Sequence, residues 1–167
     1  MRCSLVLSIV LALSVPGTPL AGDAPAAPSP LARLKSLAGE WVQKGGDGAV
    51  AVVYRVTSAG HAVTETDFPG TPYEMLTVYH MDGDDLVLTH YCAEGNFPRM
   101  KADAPSNDAI HFKFTGCANL KSDNAGHMHE ATITFVDADH VSSAWQYYRD
   151  GKAAELEKFD LVRKGKS

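Results

Sequence analysis

Leu86-Val-Leu-Thr-His-Tyr-Cys-Ala-Glu-Gly-Asn-Phe-Pro-Arg-Met100 carries the pattern that decides the fold. A run with a period of two enters a tight Gly95-Asn96 turn and a second run leaves it, the signature of a β-hairpin. Side chains alternate between the faces of a strand. If Leu86 and Leu88 face a core, His90 and Cys92 therefore share that inner face. Arg99 and Met100 are neighbours after the turn, and only one of them can point inward. An inward Arg99 offers a guanidinium fork for a carboxylate at the mouth. An inward Met100 leaves Arg99 as a solvated charge.

The same period extends in both directions from this hairpin. Strands are expected at about 40–45, 49–57, 61–68, 73–80, 86–93, 98–103, 109–116, 129–136, 140–149 and 153–163. Turn-forming clusters such as Asp82-Gly-Asp84, Asp137-Ala-Asp139 and Asp150-Gly151 punctuate them. Alternation is cleanest in 129–136, where Ala131, Ile133 and Phe135 share one face against Glu130, Thr132 and Thr134. Followed backwards, that inner face reaches His129 and then His127. Nothing after Trp41 has a helical period. The expectation is an all-β chain, a single up-and-down antiparallel β-barrel of about ten strands, because closing the ring removes a meander's two unpaired edges. Cys92, Cys117, His127 and His129 would gather at one end of it, with His90 one step below.

Upstream, Ser29 and Pro30 read as the cap and first residue of a short helix, with Leu31, Leu34 and Leu37 at helical spacing and Gly39 ending it. Residues 25–30 are a Pro/Ala spacer. Residues 1–24 read as a cleaved signal peptide: Arg2, an apolar run from Ser4 to Val15, a break at Pro16-Gly17, and cleavage between Ala21 and Ala24. The apolar run falls short of the roughly 20 residues a membrane span needs. The expected product is exported, periplasmic or secreted, with one domain over 31–165. A chain of 167 residues, 45% hydrophobic and 21% charged, can fill one such core. Its net charge of −5 argues against nucleic acid and anionic membrane surfaces as partners.

A short helix, Gly39-Glu-Trp41 opening the first strand, and a meander ending in Phe159-Asp-Leu-Val-Arg163 together resemble the calycin group of lipocalins, fatty-acid-binding proteins and nitrobindin-like barrels. The run from Phe68-Pro-Gly-Thr-Pro72 through Thr89-His-Tyr-Cys92 to Gly126-His-Met-His129 is similar to uncharacterised exported bacterial proteins with a lipocalin-like domain. The resemblance implies that Gly39, Trp41 and Arg163 are structural, with Trp41 and Arg163 packed across a closed bottom. It implies no activity. The glycines and Asp47 after the first strand leave no room for the helical lid of fatty-acid-binding proteins. The haem-binding barrels use a histidine late in the chain, and the last strand here has none, which argues against haem.

Several side chains could carry chemistry. His127-Met-His129 presents half of a zinc or other transition-metal site, to which His90, Cys92 or Asp123 could add further donors across the lumen or from the 116–126 loop. Cys92 and Cys117 would suit a disulfide in an exported chain. One intervening strand, however, holds their positions roughly 9–10 Å apart, beyond the Cα separation of about 7 Å that a bridge tolerates. Bridge and free thiols both stand. His61, Glu65 and Asp67 share a face of strand 61–68 and read as its solvent side. Trp145 and Tyr147 share another face and line the interior. No hydrolase elbow, phosphate-cradling loop or paired-carboxylate motif appears, so an enzyme is the less favoured reading. The reading reached is an exported barrel that binds a small apolar or amphipathic molecule. His90, Cys92, Arg99, His127, His129, Trp145 and Tyr147 would line its site. A transition-metal protein built on His127, His129 and His90 is the alternative, and a filled barrel that docks another protein is the third.

Overall fold

In a computed structural model, residues 28–103, 106 and 108–165 are described. The expected signal peptide and half of the expected spacer lie outside these residues. The structure is a closed antiparallel barrel of ten strands in simple sequence order, sealed by the first strand against the last. The strands are β1 (Gly39–Gln43), β2 (Val50–Thr57), β3 (Ala62–Asp67), β4 (Met75–Asp82), β5 (Asp85–Tyr91), β6 (Phe97–Ala102), β7 (Ala109–Ala118), β8 (His127–Asp137), β9 (His140–Arg149) and β10 (Lys152–Arg163). One short helix, α1 (Pro30–Ser36), precedes them. Among the described residues no helix is long and apolar enough to cross a membrane.

The helix starts where the sequence expects. The Ser29 hydroxyl accepts from the Ala32 amide at 3.3 Å, and Pro30 fills the first turn, where its missing N–H costs nothing. Its Leu31 and Leu34, with Leu37 just beyond, are buried against the barrel. They close the end at which the β2–β3, β4–β5 and β8–β9 turns lie.

That closed end is pinned by Trp41 and Arg163, which face each other across the β1–β10 seam. Trp41 is wholly buried, and its indole N–H donates to the Leu37 carbonyl at 2.8 Å. The Arg163 guanidinium lies over the indole ring, 4.4 Å from its centre. It also donates to the Ala38, Ser36 and Ala138 carbonyls and to Asp139, fastening the helix and the β8–β9 turn to the last strand. Gly39 is required here, since a β-carbon would sit 2.9 Å from an Arg163 nitrogen and the backbone φ is +134°.

Above this base the interior is filled. Tyr54, Tyr79, Phe112, Leu88, Met100, Ile110, Ile133 and Leu161 are all fully buried. Met100 takes the inward place beside the hairpin and Arg99 is exposed, so of the two readings of Arg99 the structure takes the solvated charge and not the anion clamp.

Candidate functional site

An aromatic-walled space opens at the end of the barrel opposite the helix. A cavity of about 280 Å³ is bounded by Asp67 at the top of β3, Phe68 and Tyr73 from the β3–β4 loop, Met75, His90, Ala93, Met128, Trp145, Glu157 and Phe159. Phe68 and Phe159 meet at the rim with ring centres 5.8 Å apart, and Tyr73, 71% exposed, forms the lip. Phe68 has a backbone φ of +50°, a region a bulky residue enters at a cost of about 1–3 kcal/mol.

The cavity wall is largely apolar, but a buried polar row runs behind it and reaches it at His90 and Asp67. Cross-strand register places Tyr54, Glu65, Thr77 and His90 in one continuous row over β2, β3, β4 and β5. All four are buried, and Asp67 is buried one step above Glu65. Tyr79 donates its hydroxyl to Glu65 Oε2. Burial pushes the carboxyls of both Glu65 and Asp67 up, and for Asp67 the neighbouring Glu65 adds to the shift. The same burial, with those acids alongside, raises Tyr54 and Tyr79 well above an ordinary tyrosine. No arginine or lysine lines the cavity to compensate the acids.

His90 stands at the end of this row. Its Nδ1 meets the Thr77 hydroxyl at 2.8 Å, and its ring packs on Trp145 with centres 4.9 Å apart. Desolvation lowers its pKa to about 4, so the imidazole is neutral at pH 7. Its Nε2 is buried without a hydrogen-bond partner, as is Asp67 Oδ1. Two unsatisfied polar atoms therefore belong to side chains that border one cavity. Unpartnered buried groups are costly, and where they border a cavity they mark a place for a ligand's polar atom.

The two histidines of His127-Met-His129 lie elsewhere. A bulge between Met128 and Glu130 makes His129 the extra residue in β8. An inserted residue reverses the alternation, so Met128 and not a histidine borders the cavity. The inward row expected from Ala131 backwards therefore stops at the bulge. His129 is sandwiched between Phe114 and Tyr148, with ring centres 4.5 and 4.0 Å away. His127 Nδ1 donates to the Ala125 carbonyl at 2.9 Å, which leaves its Nε2 to accept from His129 Nδ1, also at 2.9 Å. Burial and the neighbouring imidazole lower the pKa of His129. The nitrogens that would face a shared metal are spent on each other. His90 is engaged with Thr77 and Trp145, so the expected three-histidine centre does not assemble. Among the described residues no three His, Cys, Asp or Glu side chains gather where an ion would sit.

Cys92 and Cys117 are both free thiols, so the bridge is not formed. Cys117 pairs with Pro98 on β6, and Cys92 lies beyond the end of β5, with that strand between them. Neither borders the cavity, which Ala93 reaches instead. Trp145 forms part of the wall as its face implied. Tyr147 is buried just above it and serves the rim: its hydroxyl donates to the Glu94 carboxylate at 2.9 Å, tying β9 to the β5–β6 turn. Asn96 ties that turn to the β7–β8 loop, donating to the Gly126 carbonyl at 2.8 Å. Gly126 makes this possible, because a β-carbon there would lie 1.7 Å from the Tyr147 hydroxyl. Gly126→Ala must expel Tyr147 from its place. The expected cost is about 1–3 kcal/mol, read as a lower urea midpoint together with faster amide exchange confined to the 92–97 and 119–127 loops.

Glu65 and Asp67 are the residues that sequence reasoning missed. Neither face of β3 is apolar: Val63, Glu65 and Asp67 share one, and Thr64 and Thr66 the other. His61, which seemed to belong with the acids, is exposed and precedes the strand. The usable signal was Val63, the lone large apolar residue of the strand's polar faces and one of the fully buried core.

These features define a class: a closed antiparallel barrel, solid at its base, with a ligand-sized cavity of aromatic walls that a buried aspartate and histidine border. The architecture is compatible with the calycin group. No family model and no curated protein matches the chain.

Proposed function

We propose that this protein is exported and binds one small amphipathic molecule in the cavity above His90. The observation that supports it is the pairing of an aromatic-walled space of about 280 Å³ with two unpartnered polar atoms, His90 Nε2 and Asp67 Oδ1. Pockets of this kind bury an apolar body and fix it through a few converging polar groups. The rim latches from Tyr147 and Asn96 hold the mouth in shape, so little ordering cost is left to binding. The charged, half-exposed outer face of the barrel takes no part.

Trp145 supplies the readout. Titration with N-phenyl-1-naphthylamine, an apolar fluorophore, is expected to quench tryptophan emission and enhance the probe's own. Met128→Trp, which fills the cavity from β8, should weaken binding at least about tenfold, the loss of roughly 1.4 kcal/mol of contact. Undiminished binding to that variant would place the probe elsewhere and end the proposal. Mass spectrometry of protein taken from the envelope of its own host tests the rest: a chain starting between residues 22 and 25 is expected, with its ligand retained under native conditions.

A further inference from the structure

The cavity is short of a positive charge. Asp67 and Glu157 border it, Glu65 lies directly beneath Asp67, and no lysine or arginine lines it. His90 cannot make up the deficit, because a ring so desolvated stays neutral. The two unpartnered atoms that the cavity offers can both turn a lone pair to a cation. Ionised opposite a bound ammonium, Asp67 offers its unpartnered Oδ1 as an acceptor. In the tautomer whose Nδ1–H donates to the Thr77 hydroxyl, His90 Nε2 presents a lone pair and is an acceptor too. Around them stand Trp145, Phe68, Tyr73 and Phe159, whose ring faces attract cations.

Resting on the binding reading above, we propose that the ligand is a small organic cation: a protonated primary or secondary amine on an apolar body. Its N–H groups face Asp67 and His90, and its body lies against the aromatic wall. A carboxylate or phosphate ligand would set its charge beside buried acids with no cation near, at a cost the cavity cannot return. A neutral alcohol has one donor for two waiting acceptors. The amine satisfies both and gives the Glu65–Asp67 pair the countercharge that the protein itself omits.

The test is a charge series of one shape on the full-length mature protein, read by calorimetry: 2-phenylethylamine, its N-acetyl derivative, 2-phenylethanol and 3-phenylpropionate. The amine is expected to bind at least about tenfold tighter than the alcohol and the acetylated form, and the acid weakest. Asp67→Asn should collapse the preference for the amine. The acetylated compound makes the same point in the wild-type protein, so the test does not depend on the variant folding. Equal affinities, or a preference that survives in Asp67→Asn, would overturn the cation. If N-phenyl-1-naphthylamine still binds in the cavity, only this inference falls. If neither it nor any of the series binds there, the binding reading falls as well.

Discussion

Trp41→Ala is expected to cost about 3–5 kcal/mol, enough to remove much or all of the stability of a domain this size. The indole fills the closed end completely and is held from three sides: by the Leu37 carbonyl, the Arg163 guanidinium and the α1 leucines. Its removal leaves a void that the short, three-pair β1–β10 seam cannot collapse to fill. The guanidinium then loses the ring beneath it while still bonded to Ala38 and Asp139. Urea unfolding should show the loss as a lower midpoint with an unchanged slope. A falling slope would mean that the ring opens before it unfolds. Phe159, near the other end, is partly exposed at the rim, and Phe159→Ala should cost far less.

The second large effect is on the pH dependence of stability, which two sets of groups shape in opposite directions. Glu65 and Asp67 hold protons more tightly when folded than unfolded. Above about pH 4, where the unfolded carboxyls ionise, the folded chain binds more protons, so stability falls as pH rises through their raised range. His90 is the reverse case. Its pKa drops from 6.5 to about 4 on folding. Between those values the unfolded chain binds the extra proton, so stability falls as pH falls, by about 3 kcal/mol at the lower limit. Asp67→Asn, which removes an ionisable group from a place without a cation, is expected to raise the melting temperature at pH 8 by several degrees and much less at pH 5. His90→Gln should flatten the acid limb between pH 6.5 and 4. Melting curves from pH 4 to 9 for the three proteins check both. A uniform destabilisation of Asp67→Asn at every pH would show the carboxyl to be satisfied as it stands. The gain expected of Asp67→Asn is also a mark of function, since a stabilising substitution at a buried acid implies that the acid is kept for something besides folding.

The architecture was written in the sequence far more plainly than the site. Ala131, Ile133 and Phe135 alternate cleanly, turns recur between runs, and Leu86, Leu88 and His90 follow one face, as β5 does. These signals are local, and each repeats the same message. The site depends on exceptions to them. A one-residue bulge at His129 reverses the inward row. In a Gly-His-Met-His stretch every residue fits either face, so nothing in the letters marks it. In β3 and β4 the hydrophobic code is inverted: Glu65, Asp67, Thr77 and Tyr79 go inside, while Leu76 is left partly exposed. Burying acids in a barrel is energetically unreasonable for folding alone, and a reading based on folding physics therefore turned them outward. Arg99 and Met100 were undecidable for a simpler reason, since one step of register separates the two answers.

One feature of the base bears on how such a chain comes to be made. β10 supplies both the partner of β1 and the arginine that locks the helix, 125 positions along the chain from the Ala38 carbonyl it binds. Until the ribosome has released those final residues, the growing sheet carries two sticky margins and an unroofed tryptophan. Truncation within β10 would not trim the molecule but unzip it, and a nonsense codon there should act as a null.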